Sequence, residues 1–228
     1  IYKPFWNLVG QFNSFSIRRQ SLFRPKLYQS VNFNYDSWFQ FKTFDFTGFF
    51  LFANPGPRYD YFESRNGQTL NLPGSFGGGG FLSTNYARKW ALDVNLSLWR
   101  QPAFDAQGMN LSISPRFRFS DRFQLQHDLS LDLNDNARGF VTFDENNNAM
   151  IGLRDRKDVV NTLNASYAFT PTMNLSFRAR HYWSRVSYDD GIMQLMSDGN
   201  LMDVGYDENH DINFNLFNID CVFRWRFA

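Results

Sequence analysis

Seven acidic residues, Asp189, Asp190, Asp198, Asp203, Asp207, Glu208 and Asp211, crowd one stretch that holds no lysine or arginine. Carboxylates beside Gly191, Gly199 and Gly205 have the chemistry of a calcium site, because Ca²⁺ gathers six to eight oxygens. Asp189, Asp190, Asp198, Asp203 and Asp207 are therefore candidate calcium ligands, and calcium in an external loop is the one cofactor the sequence suggests. Their spacing matches neither an EF-hand nor a Gly-Asp repeat, and a solvated acidic loop is the simpler reading. The histidines are His127, His181 and His210. A histidine beside a serine can activate it for ester hydrolysis, and His127 with Ser130 or His181 with Ser184 could be imagined so. In an extended chain the two members of each pair point to opposite faces. No catalytic residue is assigned, and the sequence argues against an enzyme more than for one.

Arginines offer a third chemistry. Arg116 and Arg118, Arg178 and Arg180, and Arg224 and Arg226 repeat an Arg-x-Arg pattern, and Asp93, Asp128, Asp132 and Asp220 lie in similar surroundings. Rings of arginine can select anions or bind phosphate-bearing lipids. The competing and simpler reading is a neutralised network that stiffens a wall, since the two signs nearly match. The run Gly77-Gly78-Gly79-Gly80 lacks the Lys-Ser/Thr and helix of a phosphate loop. It reads as a flexible lead-in to a strand from the loop that begins near Pro55-Gly56-Pro57.

These residues sit on segments that alternate with period two. Phe123, Leu125, His127, Leu129, Leu131 and Leu133 interleave with Gln124, Gln126, Asp128, Ser130 and Asp132. Leu111, Ile113, Phe117 and Phe119 interleave with Asn110, Ser112, Ser114, Arg116 and Arg118, and Leu175 to Trp183 alternates likewise. Such alternation puts one set on each face of a sheet. About ten strands are expected, each of roughly 10 to 15 residues, where soluble strands run about 5 or 6. Short turns are expected at Asp36-Ser37, Arg88-Lys89, Ser120-Asp121 and Thr170-Pro171-Thr172. Long connections are expected at Asn54 to Gly79, Gln101 to Gly108, Asn134 to Lys157 and Ser187 to His210. Tight turns at one end and long loops at the other is the construction of an outer-membrane barrel.

Composition narrows the field. Basic residues number 23 against 22 acidic ones, with no basic stripe, so nucleic acid is not an expected partner. Mean hydropathy is −0.44 and no apolar run approaches the ~18 residues of a membrane helix. Aromatic residues make up 19% of the chain, too many for a disordered segment and well suited to strands. The single cysteine, Cys221, excludes an intrachain disulfide. A soluble barrel with its apolar face inward would alternate in the same way. Strand length, aromatics near strand ends (Phe119, Phe123, Phe169, Trp183, Trp225, Phe227) and a polar face carrying both Arg and Asp favour the inverted, membrane arrangement.

The last segment is the most distinctive. Asp211-Ile212-Asn213-Phe214-Asn215-Leu216-Phe217-Asn218-Ile219-Asp220 leads to Phe223-Arg224-Trp225-Arg226-Phe227-Ala228. It resembles the near-terminal motif of a Bacteroidota family, domain of unknown function 5916, in which an Asn-rich strand ends in Arg-Trp-x-Phe-Ala before Pro-Gly-Ser. Phe169-Thr170-Pro171-Thr172-Met173-Asn174-Leu175 resembles that family's Thr-Pro-x-Leu turn. The resemblance covers the chain from about Asn54 onward and brings no catalytic motif. It implies that residues 1–228 are the C-terminal barrel portion of a longer protein, lacking a secreted module similar to a carbohydrate-binding domain and a short C-terminal continuation.

The expectation is an all-β, antiparallel, up-and-down transmembrane barrel in a bacterial outer membrane, with a complete barrel larger than this segment. Its partners would be outer-membrane lipid and other outer-membrane proteins in an assembly, and its role that of an anchor for a glycan-binding-like module or an assembly component. A porin-like pore for small solutes or anions, an outer-membrane lipid hydrolase and a soluble β-barrel binder are the alternatives.

Overall fold

The computed structural model describes residues 7–188, 191–206 and 208–227, and it is all-β. Ten antiparallel strands follow one another in a single up-and-down path: β1 (Leu8–Ser21), β2 (Tyr28–Phe41), β3 (Phe46–Asn54), β6 (Ser75–Ser83), β7 (Trp90–Gln101), β8 (Ala106–Arg118), β9 (Phe123–Phe143), β10 (Ala149–Thr170), β11 (Met173–Ser187) and β14 (Ile212–Trp225). Four short strands lie in the connections: β4 (Arg58–Asp60) pairs with β5 (Leu70–Leu72), while β12 (Ile192–Leu195) and β13 (Leu201–Tyr206) extend the main sheet to twelve strands through β10. Among the described residues the sheet is open, with β1 and β14 each paired on one side alone.

The ladder keeps register over its full length. Leu131 pairs with Leu111 and Val159, and Ser130 with Ser112 and Val160, so the alternation along each strand becomes two continuous faces across the sheet. Tight connections, 42–45, 84–89, 119–122 and 171–172, fall at one end, and three of these lie where turn residues predict them. Asp36-Ser37 is a correction: it lies inside β2, where Asp36 pairs with Ser14 and Phe50 and the neighbours on both sides override the local turn signal.

The glycine run is a second correction. Gly77–Gly80 is the middle of β6, not its lead-in. A Cβ at Gly79 would collide with the Leu96 carbonyl oxygen and the Phe50 ring, and one at Gly77 with the Leu98 oxygen and the Phe52 ring. The missing side chains make room for the two phenylalanines of β3 to lie over the next strand.

At the other end, the expected loop 134–157 is mostly strand and the expected loop 101–108 is half strand. β9 and β10 run on as a hairpin to a tip at 144–148, and β7 and β8 are joined through a single 3₁₀ turn at Pro102–Phe104. The β3–β6 connection, 55–74, does not splay outward. Its Glu63 carboxylate accepts from the Phe140 N–H (2.7 Å), Asn66 donates to the Asn147 carbonyl (2.9 Å), and Gln68 donates to the Leu195 carbonyl (3.1 Å). These bonds bypass β6, β7 and β8, so the sheet is curled enough for one loop to span from β3 to the β9–β10 hairpin. Under that strap sits the buried core of Leu70, Ala149, Ile151 and Leu195, flanked by Leu72, Phe140 and Leu201. We call this assembly the cap.

Gly79→Val should lower the urea midpoint by an amount equivalent to about 1–3 kcal/mol, the usual cost of overpacking. Gly10→Ala, whose new methyl would come no closer than 3.8 Å to any atom beyond its own chain neighbours, should leave it unchanged.

Candidate functional site

The polar face carries the side chains able to do chemistry. Its rungs follow from register. Arg116, Gln126, Asn164, Arg178 and Asp220 are consecutive cross-strand neighbours on β8, β9, β10, β11 and β14. Arg118, Gln124, Ser166 and Ser176 form the next rung toward the tight turns, and Asn174 with Arg224 lies below that. Asp128, Thr162 and Arg180 form the rung above, and Asp132 pairs with Asp158 higher still.

The carboxylates on this face are held mainly by neutral groups. Asp128 accepts from Gln126 (2.8 Å) and Asn164 (3.1 Å), and Asp93 accepts from Ser83 and Tyr86, both at 2.6 Å. The ion pairs belong to Arg156, which reaches Asp132 at 3.1 Å and Asp158 at 3.3 Å. Sequence reading missed Arg156 and Asp158. Arg156 lies just beyond a register shift between Arg154 and Arg156, where simple alternation no longer assigns a face. None of the Arg-x-Arg residues joins an ion pair among the described residues. Arg116 donates from Nε to Gln126 (3.2 Å) and lies 4.3 Å from the Tyr86 ring centre. Arg226 stands just past β14, its backbone N–H donating to the Thr172 carbonyl (3.0 Å).

The opposite face is apolar and bare. Leu98, Trp90 and Phe117, on interior strands, are 48%, 57% and 41% exposed. Aromatic rings form a chain along the tight-turn end. Phe117 to Phe119 is 6.2 Å between ring centres, Phe119 to Phe123 5.1 Å, Phe123 to Tyr167 6.2 Å, Tyr167 to Phe169 4.8 Å and Phe169 to Phe223 6.3 Å. Trp225 and Phe227 continue it at 4.4 Å. Above this chain come Leu125, Leu129, Leu131 and Leu133 with Ile113, Leu111, Met109 and Val159 beside them. From Phe123 to Leu133 is ten residue steps, roughly 33 Å along the strand and about 25 Å in height at a tilt near 40°.

Polar residues interrupt this face at His127 and gather on its upper β11–β14 part. There His181 Nε2 lies 3.1 Å from Asn215 Oδ1, and Trp183 donates to Asn213 (2.9 Å). His181 stands opposite Asn161, and His127 opposite Leu163, both away from the serines of the polar face. His210 is in the cap region, 2.8 Å from the Tyr206 hydroxyl.

Asp189, Asp190 and Asp207 lie outside the described residues. Asp198 binds the Asn200 N–H (3.0 Å) and side chain (2.9 Å), and Asp203 accepts from the Gly205 N–H (2.9 Å). Among the described residues no three His, Cys, Asp or Glu side chains come together as metal ligands. Outside the strands, hydrogen bonds set several ionisations. Thr43, the Asn85 N–H and Arg88 hold Asp45 below the ordinary value of 3.8, and Asn148 and Asn200 do the same for Asp144 and Asp198. Burial and then the Glu208 carboxylate push the Tyr206 hydroxyl up.

A family model described as Domain of unknown function (DUF5916) matches residues 1–228, including the first fifty residues, where the resemblance read from motifs is loose. No curated protein and no solved structure matches the chain.

Asp45 joins two tight turns, since Arg88 (2.9 Å) and the Asn85 N–H (2.9 Å) both come from 84–89. A depressed carboxylate stabilises the fold above its unfolded value, and that contribution disappears as pH falls through the folded one. Asp45→Asn should therefore be less stable than the parent at pH 7 in chemical denaturation. The difference should close as pH drops below the ordinary 3.8.

Proposed function

The chain belongs to the family of domain of unknown function 5916, and we propose that it builds part of the wall of a bacterial outer-membrane β-barrel. In this reading the apolar face meets lipid and the polar face lines the interior. The observation that carries it is the aromatic chain at the tight-turn end beneath an apolar band about 25 Å high, the height and girdle of a lipid-facing barrel wall. Phe119 and Phe123 then sit at the periplasmic interface, and the cap, built from the long connections, stands on the outer side. No helix among the described residues is long and apolar enough to cross a membrane; a strand crossing needs none.

A soluble barrel would turn the leucine face inward around a ligand. Here that face is exposed on interior strands, at a scale that monomeric soluble proteins rarely show. Ester hydrolysis finds no support either, since His127 and His181 lie on the face away from Ser130 and Ser184. The role that follows from the resemblance, in a Bacteroidota outer membrane, is to anchor a secreted glycan-binding-like module or to join a larger outer-membrane assembly.

The full-length protein, extracted from isolated outer membranes in mild detergent, should migrate differently on SDS gels before and after boiling. A closed barrel with its backbone groups paired resists SDS until heated. Recovery in the soluble fraction with no shift would refute the reading. The two faces also predict opposite tolerance. Leu129→Arg, near mid-height, should cost about 2–4 kcal/mol of stability in lipid vesicles, and Ser130→Arg on the polar face should cost far less.

A further inference from the structure

Among the described residues, the arginines on the tight-turn half of the polar face form no ion pair with a carboxylate. A cavity of about 490 Å³ opens over two of its rungs, and Arg116, Gln124, Gln126, Ser166, Arg178 and Asp220 are among its lining residues. Arg116 uses Nε on Gln126 and rests on Tyr86, which leaves its two terminal nitrogens without a partner among the described residues. The Arg178 side chain makes no hydrogen bond or ion pair among the described residues, although Asp220 stands directly opposite it in the ladder. The side chains of Gln124, Ser166 and Ser176 are equally unengaged among the described residues, whereas the Asp128 carboxylate, one rung above, is already held by Gln126 and Asn164. The two guanidinium groups rise from strands three apart, so their backbones stand roughly 14 Å from each other at about 4.8 Å per strand. Both arginines nevertheless line the same cavity.

We infer that this cavity binds a small hydroxylated oxyanion, in class a sugar acid or a sugar phosphate. Two guanidinium forks suit a carboxylate or phosphate, whose oxygens they can grip in pairs. The other polar lining groups are amides and hydroxyls, which match neutral hydroxyl groups, and Val222, opposite Ser176, adds an apolar surface for the carbon skeleton of a sugar. Asp220 adds an acceptor that would repel a bare dianion and welcomes a hydroxyl donor. The inference rests on the barrel reading only for access, because a polar face turned to an aqueous interior is open to a solute from solution.

The test uses the full-length protein in mild detergent, titrated calorimetrically with D-glucuronate, glucose 6-phosphate and glucose at low salt. Both anions should bind saturably and glucose should not, and raising salt should weaken binding. Arg116→Gln and Arg178→Gln should each weaken it about tenfold or more, the usual worth of a hydrogen bond to a charged group. Arg65→Gln, in the cap, should change nothing. Arg178→Lys, which keeps the charge and loses the fork, should fall between, and it serves if the glutamine variant fails to fold. Glucose binding as well as the anions, or unchanged affinity in both glutamine variants, would overturn the site. Running the boiled and unboiled gel on the same preparation separates the two readings. A mobility shift without anion binding overturns the site and leaves the membrane barrel standing. Anion binding lost in the arginine variants, in protein that shows no shift, supports the site and overturns the barrel.

Discussion

The register of the β8–β9–β10–β11 ladder is the constraint from which the other properties descend. Because strand side chains alternate with period two, a slip of one residue would exchange the faces of a whole strand. Leu129 and Leu131 would then stand among Arg116, Asn164 and Arg178, and Asp128 and Ser130 among the bare leucines. The penalty is collective, so the pairing Leu131–Leu111 on one side and Leu131–Val159 on the other is specified by every residue of the strand at once. Both the arginine rungs and the ring chain at the tight turns are consequences of that one alignment.

What can be read from the sequence depends on how local its cause is. The alternation of Phe123 to Leu133 is a local pattern, and the assignment of Arg116, Arg118, Arg178 and Arg180 to the same face as Gln126 and Asp128 follows from it directly. The turns at Arg88-Lys89, Ser120-Asp121 and Thr170 to Thr172 carry their own conformational preferences and are equally legible. Asp36-Ser37 misleads because two neighbouring strands outweigh a weak turn signal, and Gly77–Gly80 misleads because its reason lies in Phe50 and Phe52 of another strand. Arg156 is hidden behind a register shift that the sequence does not mark.

The cap is invisible for a stronger reason. Leu70, Ile151 and Leu195 come from β5, the start of β10 and β12, three stretches far apart in the chain, and no local pattern says that they meet. Yet they form the compact buried cluster of the molecule, while the wall leaves its apolar surface bare. The stabilities of the two parts therefore have different origins. The wall depends on ladder hydrogen bonds and on whatever solvent its leucine face meets, and the cap depends on ordinary burial. Changes at Leu195 should act on the cap and leave the rungs of the polar face in place.

The Gln68 side chain bonds the carbonyl of Leu195, 127 positions further along the chain, and the Ala149 N–H bonds Gln68 in turn. The strap's partners come together only where β9, β10 and β12 pair, so the strap has these groups to bond only when those strands are in place. Its closure reports that β9, β10 and β12 have come together, so a protease directed at 55–74 would tell molecules with an assembled cap from those arrested before it forms.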